Sequence, residues 1–493
     1  MTDPVTMSYL DAIITNTLQE LENIQVARDY YRGKQPVTLT ARQKEYLSQH
    51  ENIPFRMNVC HTVVNALANE LALLGMSSDN DTANEWASKV FDACKLDALQ
   101  DDVHEAALSD GETFAIVDWH NEAPRIVHNQ RYIPAGAGGD GLGCWMVYEN
   151  NDPNQDRLYA IKQWVDVVYT PAAKLIPRRT IYYPDRIERY FDPGGGWAQY
   201  VDDDGVWPIP WTASGKPLGI PVFHFTNKTS APEHWDAIPM QDAVNKTLAD
   251  IMAANDLTAF KSFFLFGSHA TTDGRDLKKD LTNAMKIGPG QVNSTENPDA
   301  KLQEISGADN TPLVEFMKEL VLSIAQITDT PASRFITTAQ IASADTLQAQ
   351  KMALTAKASD RRGRFGDTWS AVFDMCRKVD NAYSGKNIPE DAELSPVWKT
   401  DMSMDELAEK VNTLKITKEQ AWREAGYSAK QVAVMQSDPE YRVEFEKQLW
   451  DGFNAAAAHG ISLETYLTRL NLTEDEIALI LSTRGTDAAE MMQ

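Results

Sequence analysis

The sequence is poor in the features that mark secreted, membrane-bound or metal-dependent proteins. Its 493 residues hold four cysteines, Cys60, Cys94, Cys144 and Cys376, far apart and without a CxxC pair. That spacing argues against a disulfide framework or a zinc site and predicts buried free thiols. No apolar run approaches the roughly 20 residues a helix needs to cross a bilayer. The start, Met1-Thr2-Asp3-Pro4, lacks the basic and apolar character of a secretory signal. The expectation is a cytoplasmic protein with no membrane partner.

Catalytic signatures are also missing. There is no GxxxxGK[ST] phosphate loop, no HExxH and no GxSxG. Asp202-Asp203-Asp204-Gly205 begins like a calcium loop but finds no closing Glu in register, so an acidic hairpin turn is the better reading. His61, His120 and His128 have no partners at ligand spacing and read as structural or exposed. The expectation is no enzyme, no metal and no cofactor.

Positive charge is scarce: 46 Lys and Arg face 71 Asp and Glu, a formal net charge of −25. This opposes a conventional DNA-binding surface, which gains affinity by placing cations on phosphates. Charge alone leaves two readings open: simple solubility or adaptation to a particular milieu, and, when joined to the helical arrangement described next, a conduit along which DNA slides without sticking. In the second, screening over roughly 8 Å restricts the effect to residues at the lumen surface.

What the chain does have is an ordered pattern between Ile238 and about Lys378. Met240, Val244, Leu248, Ile251 and Leu257 recur near helical spacing, which predicts a helix from Met240 to about Leu265, on the order of 39 Å long. Thr311 as N-cap and Pro312 at N1 open a second helix, striped by Leu313, Phe316, Leu320, Ile324 and Ile327 and ending before Pro331. Between them, Ser268–Ser306 reads as a polar excursion: a helix over Asp276–Ile287, a turn at Gly288-Pro289-Gly290 and a strand at Lys301–Ile305. A loop, Pro331–Ala342, carries Arg334 as its only charge. A long helix follows from Ser343, and Gly363 with Gly366 predict a bend in it.

Around this segment the chain reads as a large body, and 493 residues exceed what one core supports. Helices are predicted over Met7–Arg28, Arg56–Gly75, Ala83–Lys95 and Leu99–Leu108, and short strands from Phe114 to Phe225. Helices return from Ser403 to Ser482. The fold class is α+β, mainly α.

The order of helix, excursion, helix, loop and long helix resembles the portal proteins of tailed bacteriophages, most closely the type found in a phage of Bacillus. Other elements fit the same resemblance in order. They are Asp29-Tyr30-Tyr31-Arg32-Gly33-Lys34, Phe55-Arg56-Met57-Asn58 with Val63-Val64-Asn65, and Asp110-Gly111-Glu112-Thr113-Phe114. Pro221-Val222-Phe223-His224-Phe225-Thr226-Asn227, Asp329-Thr330-Pro331 and Val397-Trp398-Lys399-Thr400-Asp401 follow.

The resemblance implies a portal fold: a wing over 1–237, stem helices over 238–267 and 309–330, and a clip over 268–308. A tunnel loop over 331–343, the rest of the wing over 344–401 and a helical crown over 402–493 complete it. It implies a homo-oligomeric ring, a dodecamer in the virion, that sits at one capsid vertex and is assembled in the bacterial cytoplasm. Its implied partners are double-stranded DNA, the terminase large subunit, head-completion and neck proteins, and the scaffolding and major capsid proteins.

Within that frame Arg334, Thr337, Thr338 and Gln340 are expected to touch DNA, and Asp242, Asp250 and Asp256 to line the channel. Lys278, Lys279, Gln291 and Asn293 are expected on the clip's partner surface. Arg361, Arg362 and Arg364 would face a neighbouring subunit or form salt bridges within the chain, Asp360 and Asp367 being adjacent. Arg334 would meet DNA or anchor the loop. Another head or tail component, or an enzyme without a familiar motif, are the competing readings.

Overall fold

The computed structural model describes residues 7–37, 56–134, 141–149, 156–169, 173–201, 205–258, 262–266, 301–305, 309–335 and 344–399. The architecture is mixed α+β with antiparallel sheets. The expected crown over 402–493 and most of the excursion, including the predicted helix over 276–287, lie outside the described residues.

Helix α1 (Met7–Tyr31) leads to α2 (Val59–Ala68), whose cap Asn58 accepts a hydrogen bond from the His61 amide at 3.1 Å. The helix predicted over 56–75 ends here. Leu73–Ser77 is instead a strand, β1, and its partner lies more than 300 residues away. Helices α3 (Asp81–Ala93) and α4 (Leu96–Asp110) follow. Gly111 closes α4 at φ +91°, where a side chain would be strained, and a Cβ there would sit 2.5 Å from Ser230 O. Glycine is thus required for α4 to turn directly into strand β2 (Glu112–His120).

Strand β2 pairs with β3 (Ala123–Gln130) on one side and β8 (Val222–Thr226) on the other. A second sheet is built around β4 (Cys144–Tyr148), β5 (Arg157–Tyr169), β6 (Ala173–Tyr182) and β7 (Arg186–Phe191), paired in that order. Ile187 and Ile181 from this sheet reach two different cores, one with α3, α4 and the later helix Ala344–Ser384, the other with α1.

Past Asn227 the chain enters α5 (Ile238–Thr258), which stops before the predicted Leu265. Ser262–Phe266 forms β9, antiparallel to β10 (Lys301–Ile305), so the excursion leaves and returns on a two-stranded ribbon. Phe263, Phe264 and Phe266 explain the switch, since aromatic residues favour a pleated strand. Helix α6 (Thr311–Ile327) then packs along α5. Its cap position is Asn310, one residue before the predicted Thr311, and the Thr311 amide donates to Asp309 Oδ1 at 2.9 Å.

Helix α7 runs from Ala344 to Ser384 as one element that continues through Gly363 and Gly366. Gly366 has another purpose. A Cβ there would meet Pro396 Cγ at 2.9 Å, and Pro396 belongs to β11 (Ser395–Trp398), the partner of β1. The glycine lets that strand lie against the helix. Gly363 has no neighbour within 4 Å of its Cβ position. The four cysteines are free: Cys60, Cys144 and Cys376 are buried and Cys94 is half-buried.

Candidate functional site

The candidate site is the base of the α5–α6 pair, where the C-terminal cap of α6 and the segment before α5 meet α7. Tyr30, Val59, Cys60, Val63, Val244, Leu320, Val321 and Ile324 form its apolar floor. Gln241 stitches α5 to the start of α2: its Oε1 accepts from the Val59 amide at 2.7 Å and its Nε2 donates to Met57 O at 2.5 Å. The floor therefore holds α5 in register with the N-terminal helices.

Above this floor lies a buried ionic cluster. Glu233 Oε1 is 2.5 Å from Lys357 Nζ, and Glu233 Oε2 is 3.2 Å from Arg361 Nη2. Arg361 Nε donates to Asn227 Oδ1 at 2.5 Å, and Asn227 Nδ2 donates to Ala231 O and Glu233 Oε2. Burial acts to raise the Glu233 carboxyl, yet Lys357, Asn227 and Arg361 together bring it below the ordinary carboxylate range. The cluster was not legible as a unit, because its members are brought together from positions 227, 233, 357 and 361.

The three expected arginines sit here or beside it. Arg361 is spent within the chain, its side chain 4% exposed. Arg362 donates through Nε and Nη2 to Glu70 O, at 3.0 and 2.6 Å, and through Nη2 to Lys399 O. Arg364 is half exposed, with Asp360 Oδ2 3.7 Å from its Nε. For Arg361 and Arg362 the contacts are the intrachain ones that the sequence left open, so Arg364 is the member with a face to offer elsewhere.

Arg334 ends a short 3-10 turn, Ala332–Arg334, and its Nη2 is 3.7 Å from Glu70 Oε1, with 44% of the side chain exposed. Thr337, Thr338 and Gln340 lie outside the described residues, as do Lys278, Lys279, Gln291 and Asn293. Asp242 is exposed on α5, and its Oδ1 accepts from Tyr30 Oη at 2.7 Å. Asp250 is partly buried on the same helix, and the side chain of Asp256 is outside the described residues.

One constellation has the composition of an acid–base site. Glu112 Oε2 lies 2.7 Å from His224 Nε2, and His224 Nδ1 lies 3.1 Å from Tyr148 Oη. Burial works to raise the Glu112 carboxyl, but His224 and Arg131 outweigh it and hold it down at about 2. Burial also pushes the Tyr148 hydroxyl up, the opposite of an activated nucleophile. The group ties β2, β8 and β4 together, and its geometry is that of a structural bridge. Among the described residues no group of three or more His, Cys, Asp and Glu side chains could hold a metal ion. No helix among them is long and apolar enough to cross a membrane.

Comparison with known proteins bears on this arrangement. None of the curated proteins matches the chain significantly. Among solved structures, a chain of the "Neck of empty GTA particle computed with C6 symmetry" is similar at 13% identity and a TM-score of 0.37, covering 77% of this chain and 90% of its own. Residues 10–426 match the family described as "Phage portal protein, SPP1 Gp6-like". That match spans α1, both sheets, the α5–α6 pair and α7, and with it the chain belongs to the phage portal protein family.

Proposed function

We propose that this chain forms a homo-oligomeric ring at one capsid vertex, through which double-stranded DNA is packaged and later ejected. The observation that carries the reading is the family match over 10–426 coinciding with a helical pair whose connecting excursion leaves on its own ribbon. In this reading α5 and α6 are the stem, the excursion over 268–308 is the clip that docks terminase and later the neck proteins, and 331–343 is the tunnel loop. Residues 1–237 and 344–401 make the wing, and 402–493 the crown. The ring also meets scaffolding and major capsid proteins as the head assembles in the host cytoplasm.

The work is mechanical, with no covalent step on this chain. The net charge of −25 favours a lumen that repels phosphate, with Asp242, Asp250 and Asp256 as the proposed channel carboxylates. Transient, sequence-blind contact falls to Arg334, Thr337, Thr338 and Gln340. Arg334 stands at the root of that loop with nearly half its side chain open, and Glu70 Oε1, at 3.7 Å, is too distant for a hydrogen bond. Lys278, Lys279, Gln291 and Asn293 are proposed to face partners, and Arg364 a neighbouring subunit.

Native mass spectrometry with negative-stain imaging of the purified protein tests the reading. Large rings with a central hole are the expected result. A chain that stays monomeric at high concentration and in the presence of scaffold would overturn it. Deleting Ser268–Ser306 is expected to keep the ring and abolish terminase binding.

A further inference from the structure

A single ammonium group touches the segment that leads into α5 and the C-terminal cap of α6. Lys357 Nζ lies 2.5 Å from Glu233 Oε1, just before α5, and donates to Thr328 O, the cap of α6, at 2.6 Å. The Lys357 side chain is 18% exposed and that of Glu233 6%. A carbonyl at a helix C-terminus lacks an intrahelical donor and carries partial negative charge, so it and a carboxylate make matching demands on one cation. Thr330 Oγ1 reaches the same carbonyl only at 3.3 Å. Arg361 shares Glu233 but its other partners are Asn227 and Asp360, so it holds only the α5 side.

We propose that Lys357 is a positioning residue that makes the bases of α5 and α6 move as one body with α7. The portion of α7 from Ala344 to Lys357 is roughly 20 Å long, and it begins where the 331–343 segment ends. Leu354, 4% exposed in the core, anchors that stretch by packing, and Lys357 one turn on adds the polar anchor that reaches the α5 and α6 side. The coupling stands on the contacts alone. Its consequence, that loop movement during DNA passage is passed to both stem helices, rests on the portal reading.

Hydrogen exchange of the full-length protein tests the coupling without reference to DNA. In Lys357→Met, amides of 324–330 and 231–240 are expected to exchange at least tenfold faster together, while those of 112–120 keep their rates. Lys357→Arg, which keeps charge and donors, is expected to restore both. If Lys357→Met fails to fold, Glu233→Gln/Lys357→Met leaves no carboxylate unpaired and is expected to show the same paired acceleration. Acceleration at one base only, or at neither, would overturn the proposal. In particles, Lys357→Met is expected to assemble and to package at least tenfold less DNA than Lys357→Arg. Equal packaging would overturn the mechanical role while the exchange result still judged the coupling. A wild-type chain that made no ring would instead remove the portal reading.

Discussion

Two buried regions along α7 are held in opposite ways. Toward its C-terminal half the helix is packed by rings: Phe225 lies 4.9 Å from Trp369 and 5.9 Å from Phe365, and His104 stacks on Phe365 at 5.2 Å. Polar links there are few and join single pairs: Trp369 Nε1 donates to His104 Nε2 at 2.9 Å, and Trp86 Nε1 to Asp380 Oδ2 at 2.8 Å. Nearer its start, the same helix is held by Lys357 and Arg361 on a shared carboxylate. Apolar burial is non-directional and supplies most of the folding free energy. A shared carboxylate is satisfied in one geometry only, and losing a partner leaves a charge stranded. The difference assigns stability to the ring cluster and register to the ionic one.

The largest expected effect breaks the stable side of that comparison. Trp369 is fully buried, so Trp369→Ala removes both its packing and the donor to His104. A loss of about 4 kcal/mol is expected, read as a lower denaturation midpoint for the whole body. Next comes the ionic side. Arg361→Met leaves Glu233 with Lys357 and the Asn227 amide and strips Asn227 Oδ1 of the Arg361 donor, and a loss of about 3 kcal/mol is expected. Arg361→Lys is expected to recover only part of it, since one ammonium cannot span Asn227, Glu233 and Asp360 as the guanidinium does. Full recovery in urea titrations would show that charge alone, and not the forked geometry, holds this junction.

Acidity acts on both regions in the same direction. Burial holds His104 neutral, with its pKa pushed down to about 3, and His234 likewise to about 4. Each is protonated more readily in the unfolded chain, near the ordinary value of about 6.5. Stability from both is therefore complete above pH 6.5 and is lost as the pH falls toward 4 for His234 and 3 for His104. At pH 5.5 each costs about 1.2 kcal/mol relative to pH 7. His104→Gln, compared with wild type at pH 7 and 5.5, is expected to halve this acid loss. An unchanged acid limb would place the titration elsewhere.

How much of this the chain announced depends on how local each signal was. The bounds of α6 follow from Pro312 and Pro331, and the strand at Lys301–Ile305 from its own composition. The family order was legible because it is a sequence of such local elements. The strand Leu73–Ser77 read as the tail of a helix, because its pairing with Ser395–Trp398 is invisible to a window of neighbours. The bounds of β3, Ala123–Gln130, are likewise set by its full ladder to β2. At the candidate site, Arg361 was noticed as a charge, but the carboxylate that consumes it lies at Glu233. Propensity is a local quantity, and partners chosen by tertiary contact override it.

The smallest effects sharpen the comparison within α7 itself, at two glycines three residues apart. Both carry the same intrinsic helix penalty, and sequence alone predicts the same outcome for each. At Gly363 nothing lies within 4 Å of a new Cβ. Gly363→Ala should stabilise by about 0.8 kcal/mol. At Gly366 the methyl would press on Pro396 Cγ at 2.9 Å, with Trp398 Nε1 at 3.5 Å. The propensity gain is then offset by overpacking, and Gly366→Ala should destabilise by about 1 kcal/mol net. Thermal unfolding of the two variants gives the sign directly. If both were stabilising, β11 would yield to the helix, and the contact that explains an unbroken α7 beside that strand would not be what keeps Gly366 a glycine.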